Sequence, residues 1–98
     1  MFNLFTPKAR RPWRYRQSTE VMAVDHGAKT VLLDSRSEQF FALDQTAGRI
    51  WSLVAQPRTL TEIVADLGAE FDVPEAELAA DVDAFLTEMS RAKLVEAV

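Results

Sequence analysis

At 98 residues the chain has room for one domain and one site, and a domain of this length buries roughly 60 % of the surface its unfolded chain exposes. A hydrophobic content of 48 % and a charged fraction of 27 %, with no run of about 18 apolar residues, exclude a fibrous, disordered or bilayer-spanning chain. The absence of cysteine excludes disulfides, thiolate metal sites and thiol nucleophiles, and the formal charge of −4 divides unevenly, with +5 on residues 1–16 and −9 on residues 17–98.

The segment from Met1 to Ser18 shows neither a helical nor an alternating apolar period. Its Pro7 and Pro12, with interleaved Trp13 and Tyr15, predict an irregular basic arm, residues 1–18, ahead of a folded domain over residues 19–98. The stretch Met1-Phe2-Asn3-Leu4-Phe5 is too short for the apolar core of a secretory signal, so a cytoplasmic protein is expected. Arginine beside aromatic rings suits single-stranded nucleic acid. The plainer use is that Trp13 and Tyr15 cover apolar surface while the arginines lie along an acidic body. On either reading residues 1–16 are expected to be dispensable for folding.

Two short aliphatic runs, Val21 to Val24 and Thr30 to Asp34, flank Asp25-His26-Gly27-Ala28-Lys29 and predict a hairpin. His26, the single imidazole, falls at the turn. After polar Ser35-Arg36-Ser37-Glu38, the aromatic run Gln39 to Leu43 returns as a third strand, completing an antiparallel meander. On a period of two, Val31, Leu33, Phe41 and Leu43 are expected in the core, with Phe40 and Ala42 turned away or toward an edge groove.

Asp44 and Thr46 are both suited to cap a helix running from about Gln45 to Val54, which ends ahead of Pro57. Gly48, in its first turns, either permits the close approach of another element or is mildly destabilising. Thr59-x-x-Glu62 is a capping box, and Leu60, Ile63, Val64 and Leu67 follow as a buried stripe. The third and longest helix opens at Pro74, and its Leu78, Val82, Phe85, Leu86 and Met89 form one face. Glu75 and Glu77 sit near its positive end, Arg91 and Lys93 near its negative end. Leu94 and Val95 are expected to return to the core.

The series Asp-x-Arg-x-x-x-Phe-Phe-x-Leu-Asp-x-Thr-Ala-Gly-x-Ile-Trp, Asp34 to Trp51, resembles the signature of the PqqD-like family. Members of this family are recognition elements for the leader peptides of ribosomally made, post-translationally modified peptides. The resemblance runs on through Pro57-Arg58-Thr59-Leu60-Thr61-Glu62-Ile63-Val64 and Asp81-Val82-x-x-Phe85-Leu86 to Leu94-Val95, so it covers roughly Val21 to Val95. It implies an α+β, winged-helix-like fold, a three-stranded antiparallel β-meander followed by three α-helices. It also implies that a leader peptide adds as a strand to Gln39, Phe40, Phe41, Ala42 and Leu43, in the groove between that strand and the third helix. At 100° per residue, Asp81, Phe85, Glu88 and Ala92 share one flank of that helix. Phe85 and Met89 would then form the floor, and Asp81 and Glu88 would accept hydrogen bonds or pair with a cation. Of the adjacent Phe41 and Ala42, only one can present its N–H to the open edge. The chain departs from the family at Lys93, where glycine is usual; a non-glycine in a left-handed cap costs on the order of 1 kcal/mol.

The partners so implied are a precursor leader peptide and a modifying enzyme such as a leader peptidase or cyclase of lasso peptide assembly, with no cofactor, nucleic acid or membrane span. A sibling reading is a chaperone for the pyrroloquinoline quinone precursor serving a radical SAM enzyme. From a different class comes a winged-helix DNA-binding regulator, against which the middle helix carries Glu62, Asp66 and Glu70 and no lysine or arginine. An enzyme is not expected, because the sequence offers no paired nucleophile and base, metal cluster or phosphate loop.

Overall fold

The computed structural model describes residues 13–98. In chain order the elements are β1 (Arg14–Gln17), β2 (Val21–His26), β3 (Lys29–Asp34), β4 (Gln39–Leu43), α1 (Gln45–Leu53), β5 (Arg58–Thr59), α2 (Leu60–Gly68), α3 (Glu75–Arg91) and β6 (Val95–Ala97). They form two antiparallel three-stranded sheets, ordered β2-β3-β4 and β5-β1-β6. The architecture is α+β, and the meander precedes the three helices as expected.

The first sheet is set by its turns. Gly27, at φ +68°, allows Gly27-Ala28 to close β2 onto β3 with His26 opposite Lys29. The four residues Ser35–Glu38 then close β3 onto β4 with Asp34 opposite Gln39. This register places Leu32 across from Phe41 and Thr30 across from Leu43, so these residues share the face toward the helices. Leu32 is fully buried, Leu43 is buried and Phe41 packs half-buried against the core.

The expected core face is thereby corrected on β3. Val31 and Leu33 stand opposite Ala42 and Phe40, on the outer face, and are half-buried there beside exposed Met22, Val24 and Phe40. The physical reason is parity. A four-residue turn pairs even positions of one strand with odd positions of the other, so Val31 and Leu33 cannot share a face with Phe41 and Leu43.

The irregular arm is corrected as well. Residues 14–17 are a strand, the central one of the second sheet, with Arg14 opposite Thr59, Tyr15 opposite Arg58 and Ala97, and Gln17 opposite Val95. Tyr15 is 2 % exposed and belongs to the core, so Arg14–Gln17 are part of the folded domain. The Gln17 side chain donates to the Trp51 carbonyl at 2.8 Å, fastening β1 to α1. The remainder of the expected arm, residues 1–12, lies outside the described residues.

The helices follow the local signals closely. Asp44, not Thr46, caps α1, accepting from the Ala47 N–H at 2.8 Å. Both halves of the capping box form on α2: the Glu62 N–H donates to Thr59 Oγ1 at 3.1 Å, and the Thr59 N–H donates to Glu62 Oε1 at 2.9 Å. That backbone donor, first among its partners, holds the Glu62 carboxyl below the usual glutamate range. Gly48 is the close-approach glycine, since a Cβ there would lie 2.8 Å from Thr30 Oγ1 on β3. Leu78, Val82, Leu86 and Met89 of α3 pack with Ile63 and Leu67 of α2, and with Ile50 and Trp51 of α1, in one core. Each such apolar side chain contributes about 1.5–3 kcal/mol of burial before entropy is counted.

Candidate functional site

β4 is an edge strand, and its backbone polarity can be worked out from the meander. The Ser35 N–H donates to the Glu20 carbonyl at 3.0 Å, which marks that position of the β2–β3 ladder as a hydrogen-bonded pair. Alternation along the register then turns the backbone groups of Leu33, Val31 and Lys29 toward β2, and those of Asp34, Leu32 and Thr30 toward β4. Gln39, Phe41 and Leu43 are consequently bonded inward, while Phe40 and Ala42 direct their N–H and C=O to the open edge. The edge carries no proline, lysine or other blocking residue.

An open hollow of about 460 Å³ runs beside this edge, lined by Asp34, Arg36, Ser37, Gln39, Phe41, Ala92 and Lys93. Its helix-side wall is the end of α3. The Lys93 N–H donates to the Ser90 carbonyl (3.0 Å) and the Leu94 N–H to the Met89 carbonyl (2.9 Å), with Lys93 at φ +63°, so the helix closes in a Schellman cap. Lys93 occupies the left-handed position that favours glycine. The cap sends the chain back so that Leu94 and Val95 are buried.

The two walls are strapped together. Arg36 donates from both its backbone N–H and its Nε to Asp34 Oδ1, each at 3.0 Å, and from Nη2 to the Lys93 carbonyl at 2.6 Å. The Asp34 carboxyl is buried, and the side-chain bond from Arg36, ahead of every other influence, holds it below the usual aspartate range. The Asp-x-Arg spacing that opened the family signature is therefore a clamp between the β3–β4 turn and the C-terminus of α3. Sequence reasoning did not place Asp34, Arg36 or Lys93 in the site; the motif itself was the available signal, because an aspartate two residues before an arginine at a turn suits a local charge-assisted bond.

Of the residues expected to bind a peptide, Gln39 and Phe41 line the hollow, together with Ala92 of the expected helical flank. Phe40, 71 % exposed, and Ala42 project from the outer face while offering their backbones to the edge. Leu43 and Met89 are buried in the core, and Phe85 is half-buried against it. Asp81 and Glu88 are exposed on α3, and Glu88 is already paired with Arg91 at 2.7 Å. Asp81, Phe85, Glu88 and Met89 do not line the hollow. By spacing, Glu88, Phe85 and Asp81 lead away from it along the same helix flank as Ala92. A separate hollow near the β2–β3 turn is flanked by Arg49 and Glu70, which bind each other bidentately, with the shortest contact at 2.7 Å. Among the described residues no three His, Cys, Asp or Glu side chains group as metal ligands, and no helix is long and apolar enough to cross a membrane.

Comparison with known proteins bears on the same elements. A curated relative named "PqqA binding protein", from Rhizobium meliloti (strain 1021), is 37 % identical over 70 residues, covering 71 % of this chain and 69 % of that one. The solved structure of TbiB1 in complex with the TbiA(beta) leader peptide is similar at a TM-score of 0.77 and 30 % identity, covering 83 % of this chain and 94 % of that one. A lasso peptide synthetase B1 complexed with its leader peptide shares the fold at a TM-score of 0.75 and 22 % identity, over 84 % of this chain and 96 % of that one. Residues 29–95, from β3 to the first residue of β6, match the family described as coenzyme PQQ synthesis protein D (PqqD), and the chain belongs to that family.

Proposed function

We propose that this protein is a non-catalytic binder of the leader region of a ribosomally made precursor, taking it up as a fourth strand on β4 and presenting it to a maturation enzyme. The observation that carries the reading is the edge itself. Phe40 and Ala42 turn outward backbone donors and acceptors that no strand among the described residues pairs with, directly beside a hollow bridged by the Arg36 clamp to α3. Backbone pairing supplies affinity, and alternate side chains of the added strand enter the hollow opposite Phe41 or continue the outer face beside Phe40. The leader complex of the 30 % identical structural relative supports this use of the fold, and the sequence resemblance points to a lasso pathway in which the next enzyme is a leader peptidase or cyclase. The name of the curated relative favours a second reading within the same class, a chaperone for the pyrroloquinoline quinone precursor. A DNA-binding role is opposed by the acidic charge of α2 and the turn after it, where Asp66 and Glu70 engage Arg58 and Arg49 at 2.7 Å each.

The test is titration of the purified protein with synthetic leaders from the precursor encoded beside its gene, against sequence-scrambled controls. Saturable binding of the leader alone is expected. Equal binding of leader and scramble, or of neither, contradicts the proposal.

A further inference from the structure

Residues 13–98 hold eight basic and fifteen acidic side chains, yet two cations converge at one end of the β4 edge. Arg16, Arg49, Arg58 and Arg91 are each paired with a carboxylate. Arg36 is paired too, with buried Asp34, and it also donates to the Lys93 carbonyl, which among the described residues leaves its second amino group facing the hollows that it lines. The Lys93 ammonium has no ion pair among the described residues. Both cations line the hollow beside Gln39 and Phe41. They also line a second hollow of about 270 Å³ on the other side of the strap, toward β6, where Ser90 Oγ is buried without a hydrogen-bond partner. Asp34, which lines the first hollow, offsets the charge of Arg36, so the strap is a ridge between two hollows whose net positive charge is that of Lys93, reached from the Gln39 end of the open edge.

An added strand has a register problem that this ridge can solve. Backbone pairing with β4 is degenerate, and a slip of two residues keeps every side chain on its own face. Such a slip moves the peptide by about 6.6 Å, at roughly 3.3 Å per residue, which carries any charged group off a fixed point. We infer that an Asp or Glu carboxylate of the bound peptide, just beyond the segment paired with β4 at its Gln39 end, seats on Lys93 and the second amino group of Arg36 and fixes the register. The inference rests on strand addition at β4 and names the chemistry that selects among peptides able to make it. Lys93 is the specificity-determining residue, while Arg36 also holds the walls together.

The experiment uses the full chain as wild type and Lys93→Gln, which keeps a non-glycine at the left-handed position. The probes are the fluorescently labelled leader of the adjacent precursor and its variant with the flanking acid changed to the amide. Lys93→Gln is expected to weaken the parent leader about three- to tenfold, chiefly through the association rate and with a flatter salt dependence, while both proteins bind the amide peptide alike. Lys93→Glu with an acid-to-lysine peptide is expected to recover part of the loss. An equal effect of Lys93→Gln on both peptides, no effect on either, or a leader with no acid flanking the paired segment overturns the assignment. Amide shifts keep the two ideas apart. If the parent leader moves Phe40–Leu43 but ignores Lys93→Gln, the ridge assignment alone is wrong; if it leaves those amides unmoved, strand addition fails as well.

Discussion

Tyr15→Ala is expected to cost this domain a large share of its stability, although residues 14–17 read as basic surface. The ring is 2 % exposed and β1 is the central strand between β5 and β6. Truncating a buried aromatic to alanine costs about 3–5 kcal/mol. A domain of this size has on the order of 5–15 kcal/mol in total, and each kcal/mol moves its melting temperature by about 4–8 °C. A drop of at least about 12 °C is therefore expected for Tyr15→Ala, followed by far-ultraviolet circular dichroism and by urea denaturation. Tyr15→Phe, which keeps the ring, should lose no more than about 1.5 kcal/mol. Truncation through Arg16 removes most of the strand on which β5 and β6 pair, and no cooperative transition is expected for it at 25 °C. A truncated protein that melts within a few degrees of the parent would refute the placement of β1 in the core.

Three further outcomes follow from particular contacts. Gly48→Ala adds helix propensity worth about 1 kcal/mol but sets a Cβ 2.8 Å from Thr30 Oγ1, so it should destabilise the wild type and become stabilising in a Thr30→Ala background; equal effects in both would show that the contact is slack. Lys93→Gly relieves a side chain held at φ +63° and should stabilise by about 1 kcal/mol in urea denaturation, with a loss of stability counting against the left-handed cap. The folded-state pKa of Asp34 lies below its unfolded value of about 3.9, so its bond to Arg36 adds stability that is complete above that pH and is lost as pH falls through the folded value. The clamp should be intact from pH 5 to 8, and Arg36→Ala should raise the carboxyl midpoint of Asp34 in an NMR titration; an unchanged midpoint would dismiss the clamp.

What could be read from the sequence was what is local. The Thr59–Glu62 capping box, the stripe of α2, the run of α3 and the three strands of the meander each announce themselves within a few residues. The phase of β3 was missed because Val31-Leu32-Leu33 has no alternation to read. The turn length held the answer, since pairing Asp34 with Gln39 across four residues puts Leu32 with Phe41. β1 was missed for a different reason: it has one buried residue between arginines, and its partners lie about forty and eighty positions away, at Arg58–Thr59 and Val95–Ala97. The site was half legible. Gln39 and Phe41 came from the strand and Ala92 from helical spacing, whereas the Arg36 clamp joins a turn to a helix end 57 positions later, a contact that no periodicity encodes.

Strand addition at β4 is tested most directly by amide shift mapping of labelled protein with the leader peptide. Addition should move Phe40 and Ala42 most, with Gln39 and Lys93 following, and leave α2 unchanged. Ala42→Pro removes an outward donor and should abolish leader binding while the fold persists; Phe41→Pro removes an inward one and should break the hairpin. Shifts confined to α2 or β1, or a folded Ala42→Pro protein that binds the leader as the parent does, would contradict it.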